Sequence, residues 1–131
     1  MRAQVPVPSA TVERIRSAFA SAQASGDLTP LRSVMSPRLG WAAVKAGAGN
    51  CHSREQVLGV WAQHLAEHGL GRVEEIAVVG DRLLVVLRAK GARRPLAHVF
   101  SLWGGRITQI QDYPDREQAL AALTHEVPVP D

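Results

Sequence analysis

The chain of 131 residues has room for one domain but not for two, because a domain must enclose its own core and most run to roughly 100–150 residues. Hydrophobic residues at 46% and charged residues at 21% give a globular balance, and no run approaches the ~18 uninterrupted apolar residues of a membrane helix. The formal net charge of +3 is modest, and the single cysteine, Cys51, excludes an internal disulfide or a multi-cysteine zinc site.

Identical tetrapeptides, Val5-Pro6-Val7-Pro8 and Val127-Pro128-Val129-Pro130, stand near the two ends, where proline removes amide donors and favours extended chain. Residues 1–10 and 124–131 therefore read as tails around a single domain over 11–123. Thr11 is placed to cap a first helix, along which Val12, Ile15, Phe19 and Ala22 recur at helical spacing before Gly26. Thr29-Pro30 opens a short second helix with Leu31, Val34 and Met35, which Ser36-Pro37 ends, and the chain then turns through Leu39, Gly40 and Trp41. The glycine-bearing stretch from Lys45 to Asn50 reads as a loop or weak strand at the rim of a pocket. Ser53 and Gln56 form a capping box ahead of a helix with Val57, Val60, Trp61, His64, Leu65 and His68 on one face, ended by Gly69.

From Val73 the period changes to that of strands. Val73–Val79, Arg82–Lys90, Leu96–Trp103 and Arg106–Tyr113 are separated by Gly80-Asp81, the region of Gly91 and Gly104-Gly105, the pattern of an antiparallel meander. Arg88, Lys90, Arg93 and Arg94 flank Gly91 as a solvated hairpin tip rather than as the dense, aromatic-interleaved stripe of a nucleic-acid binder. Asp115 and Gln118 repeat the capping pattern before a last helix carrying Leu120 and Leu123.

Helices first and hairpins afterwards specify an α+β layer with N-terminal helices packed on a curved antiparallel sheet. Leu83 to Leu87 is apolar at every position, so both faces of that strand need cover: one from the helices, the other from a partner subunit, which makes a homodimer through the outer sheet face the expectation. No secretory leader is evident, so a cytoplasmic chain with neither a membrane nor a nucleic-acid partner is expected.

This order of elements resembles the nuclear transport factor two-like superfamily, and within it the SnoaL-like branch. The first helix running into Ser25-Gly26-Asp27-Leu28, the Ser36-Pro37 break and Trp41 are similar to that branch's opening. The run His98-Val99-Phe100-Ser101-Leu102-Trp103-Gly104-Gly105-Arg106-Ile107, followed by Ile110-Gln111-Asp112-Tyr113-Pro114-Asp115-Arg116, is similar to its closing hairpin and the start of its C-terminal helix. The resemblance spans about residues 11–123 and implies a cone-shaped, cystatin-like roll with one hydrophobic pocket, a fold that hosts isomerases, epoxide hydrolases, cyclases and ligand carriers alike.

By that resemblance Asp112 matches a pocket carboxylate of epoxide hydrolase and cyclase members, and an acid in an apolar cone is suited to general acid or base work. Its alternative is a cap on the turn before Pro114 or on the helix near Asp115. His98 resembles in position the second acid of ketosteroid isomerases and is a candidate proton shuttle, with a satisfied core histidine as the alternative. Whether the two meet depends on register. A regular two-residue turn at Gly104-Gly105 puts His98 and Asp112 on opposite faces, and a one-residue bulge puts them on the same face.

His64 is a third candidate on the pocket wall. The string His64-Leu65-Ala66-Glu67-His68 fits the H-x-x-E-H zinc pattern, but the helix stops at Gly69 and there is no other protease landmark, so no metal is expected, and no cofactor either. Phe19, Met35, Trp41, Trp61, Phe100 and Ile110 are the candidate lining for a small hydrophobic or aromatic molecule, or else plain core. Cys51 reads as an inert thiol.

The departures matter too. The tyrosine of ketosteroid isomerases falls on Phe19 and their base near Ala43, while the Arg and Asp of epoxide hydrolases fall among Leu84, Val85 and Val86. Both mechanisms lack their centre. What is left is a ligand-binding protein without chemistry, or a cofactor-independent proton-transfer enzyme built on Asp112 with His98 or His64 assisting.

Overall fold

The computed structural model describes residues 7–42, 53–68, 72–88 and 93–125. The order of elements is α1 (Ser9–Ser25), α2 (Thr29–Ser33), β1 (Met35–Ala42), α3 (Arg54–His68), β2 (Arg72–Val79), β3 (Arg82–Arg88), β4 (Leu96–Trp103), β5 (Arg106–Tyr113) and α4 (Arg116–His125).

Four antiparallel strands form where alternation and turn residues place them, and a fifth joins their edge. The strand order is β1-β5-β4-β3-β2, with β1 running parallel to β5, so the sheet is mixed and open. Gly104 and Gly105 sit at φ of +61° and +78°, the left-handed pair that a tight hairpin requires and that a side chain would strain.

Several local expectations shift. Helix α1 begins at Ser9 with Pro8 at its N-cap, and Thr11 is a buried residue within the first turn rather than the cap. The amide of Val7 donates to the Gly80 carbonyl at 3.3 Å, so ordered chain extends into what reads as a tail. Met35 lies in β1, not in the second helix, and Leu39, Gly40 and Trp41 continue that strand instead of turning. Proline, which cannot donate to a ladder, is accepted at Pro37 because β1 is an edge strand whose register breaks between Met35 and Gly40. The other caps hold: Ser53 Oγ accepts from the Gln56 amide at 3.2 Å, and Asp115 Oδ1 from the Gln118 amide at 2.8 Å.

Two apolar layers result. The inner layer packs Ile15, Phe19 and Ala22 of α1, Leu31 of α2, and Val57 and Trp61 of α3 against Leu83, Val85, Phe100, Ile107 and Ile110 of the sheet. On the outer face Leu84, Val86, Ala97 and Val99 are covered by Ala119 and Leu123 of α4. Among the described residues, then, the second face of the doubly apolar strand β3 is closed by a helix of the same chain. Arg116 secures that helix by donating to both carboxylate oxygens of Glu75 at 2.7 and 3.1 Å, which holds the Glu75 carboxyl below its ordinary range. No helix among the described residues is long and apolar enough to cross a membrane.

Candidate functional site

The decisive local feature is the β4–β5 hairpin. Trp103 pairs with Arg106 and Leu102 with Ile107, but Ser101 then pairs with Gln109, leaving Thr108 as an extra residue in β5. Its hydroxyl donates to the Ser101 carbonyl at 3.1 Å, so the bulge carries a hydrogen bond of its own. The extra residue inverts the alternation beyond it. Ile107 and Ile110, three apart, both face the helices, and Asp112 comes directly opposite His98.

The two side chains meet. His98 Nδ1 lies 2.6 Å from Asp112 Oδ1, with only 10% and 12% of their side-chain surfaces exposed. With Asp112 as the carboxylate, which can only accept, the ring donates from Nδ1, and the neutral imidazole then keeps its lone pair on Nε2. A short hydrogen bond to an ionised partner in a place poor in water is stronger than a neutral one and holds the ring in one orientation. Asp112 is not a helix cap in this structure; Asp115 does that work.

From His98 a connected row of aromatic rings leads away across the inner layer. The His98 and Phe100 rings are 6.4 Å apart, Phe100 and Phe19 6.1 Å, Phe19 and Trp61 5.6 Å, and Trp61 and Trp41 6.3 Å. Trp41 reaches this row because β1 aligns it with Ile110, two residues before Asp112 on the neighbouring strand.

The six residues expected to line a pocket divide. Phe19, Met35, Phe100 and Ile110 at no more than 1% exposure and Trp61 at 8% all pack as core, whereas Trp41 is half-buried at its edge. His64 lies on α3, its side chain outside the described residues, as are the side chain of His68, the stretch from Lys45 to Asn50, Ala43 and Cys51. Among the described residues no three His, Cys, Asp or Glu gather in a group that could hold a metal ion. The turn residues Gly104-Gly105 by themselves allow either register. The signal that decides it was present in the spacing of Ile107 and Ile110, which share a face only if one residue between them bulges.

No family model matches the chain, and no curated protein matches it in sequence. Solved structures do. A supposed SnoaL-like polyketide cyclase from a Jannaschia species superposes with a TM-score of 0.67 at 20% identity, covering 98% of this chain and 100% of its own. A SnoaL-like protein of unknown function from Burkholderia thailandensis gives a TM-score of 0.67 at 18% identity, with 83% and 98% covered. TerC, co-crystallised with polyporic acid, gives 0.60 at 18% identity, with 88% and 98% covered. The chain has the fold that these structures share, the nuclear transport factor two-like fold.

Proposed function

We propose that this chain binds a small, largely apolar molecule beneath α1 and α3 and exchanges a proton with it through the His98–Asp112 pair. The observation that carries the reading is the 2.6 Å contact between Nδ1 and Oδ1 on the helix-covered face of the sheet. A bulge residue brings the two into register there, in an apolar layer where an unpaired charge would be costly. Asp112 orients the ring, and His98 Nε2 takes the proton from the ligand and returns it, a role that the pair fills without a cofactor. Trp41, half-buried at the end of the row of aromatic rings, offers contact area for a flat or terpenoid skeleton. TerC, a structural neighbour of the same fold, was co-crystallised with polyporic acid, which supports a ligand of apolar, oxygenated character.

Binding and chemistry separate in one experiment. Thermal shift against steroids, terpenoids and aromatic polyketides identifies a binder, and proton NMR in deuterium oxide then follows exchange at its acidic C–H positions. The expected result is exchange by the native chain and a loss of at least about a hundredfold in His98→Ala, the usual contribution of a positioned base. Binding without exchange in any variant would leave a ligand carrier with no chemistry. If ligands stabilise native, Asp112→Asn and His98→Ala chains equally and exchange is unchanged, the pair lies outside the site.

A further inference from the structure

Among the described residues, one buried side-chain donor of the inner layer has no hydrogen-bond partner. Trp41 Nε1 is closed off from solvent and makes no hydrogen bond among the described residues. An indole N–H left in that state loses its water with nothing in return, which is why buried indoles nearly always donate to something. A phenylalanine at this position would fill much of the same space without that cost.

Position gives the donor its meaning. Trp41 stands beside Ile110, and Asp112 is two residues further along the same face of β5, about 7 Å away at ordinary strand rise. The indole meets Trp61 edge-on, with ring planes at 70°, at the far end of the aromatic row from His98. With no acceptor among the described residues, this donor is free to serve an acceptor on a bound molecule, and Asp112 lies two residues from its neighbour Ile110 on the adjoining strand.

We infer that Trp41 Nε1–H is a specificity-determining donor for an acceptor oxygen, a carbonyl or an oxyanion, on the ligand that the His98–Asp112 pair serves. The inference rests on the proposed binding function and names the group that receives the ligand's oxygen. Trp41 positions the ligand, and the proton is handled at His98.

The matched probes are 1-tetralone and tetralin, two fused bicycles that differ in one carbonyl. The native chain should bind 1-tetralone more tightly than tetralin, and Trp41→Phe should reduce that preference by about three- to tenfold, the range that one neutral hydrogen bond converts to. In parallel, with the indole labelled by nitrogen-15, the Trp41 Nε1–H resonance of the native chain should move downfield on adding 1-tetralone and stay in place with tetralin. This readout is insensitive to a merely structural role and does not depend on the variant folding. Equal binding of both probes by the native chain, an unchanged preference in Trp41→Phe, or a stationary Trp41 resonance under saturating 1-tetralone overturns the inference and leaves the binding function standing. If neither probe binds the native chain even at millimolar concentration, the binding function fails for bicycles of this size, and the role of Trp41 falls with it.

Discussion

Alanine at His98, at Asp112 and at both measures what the buried pair contributes to the fold. Each side chain keeps only about a tenth of its surface in water, so solvent screens the contact weakly, and a hydrogen bond with one ionised partner is worth about 1.5–3 kcal/mol. Asp112→Ala leaves Nδ1 without an acceptor and is expected to cost about 2–3 kcal/mol. His98→Ala leaves the carboxylate unpaired and opens space beside Phe100, for about 2–4 kcal/mol. The double variant removes both partners at once, so its cost should fall short of the sum by about 1.5–3 kcal/mol. Equilibrium urea unfolding reads this directly, since at a slope of about 2 kcal/mol per molar a 2 kcal/mol change moves the midpoint by about 1 M. Repeating the cycle at high salt should leave the coupling in place, unlike that of a surface pair. Costs that add to within about 0.5 kcal/mol would refute the coupling and, with it, the claim that Asp112 holds the ring.

Other perturbations test the frame around the pair. Leu123 is fully buried between α4 and the outer sheet face, so Leu123→Ala should lower unfolding stability by about 2–4 kcal/mol in urea; a loss under 1 kcal/mol would mean that α4 is not docked as described. Gly104→Ala, at a φ of +61° with open space around the new methyl, should cost about 1 kcal/mol through backbone strain alone, measured by thermal unfolding. Glu75 titrates below its ordinary value of 4.5 because Arg116 donates to it, so its contribution is complete above that value and is lost as pH falls through the depressed one. Glu75→Gln should therefore lower the urea midpoint slightly at pH 7 and make no difference well below pH 4; a gap that persists in acid would show that the bond acts by packing rather than charge.

Much of this architecture is written locally. Alternation in Leu96–Trp103 and Arg106–Tyr113, glycines able to adopt positive φ between them, and capping residues at Ser53 and Asp115 each act over a few residues, so one sequence suffices to place the strands and helix starts. The both-sided burial of β3 is legible for the same reason, because only cover on two faces suits an unbroken apolar run.

What the tertiary structure alone decided were pairings between distant segments. Met35–Ala42 contains Pro37 and Gly40 and lacks clean alternation, and it becomes a strand only because β5, far along the chain, offers it a parallel edge. The cover on the outer face comes from α4, which no property of β3 could identify. Above all, Ile107 and Ile110 can share the inner face only if Thr108 bulges, and it is the packing of both isoleucines against the helices that favours that register over the regular one. The meeting of His98 with Asp112 follows from that choice, since in a sheet a shift of one residue carries every later side chain to the opposite face.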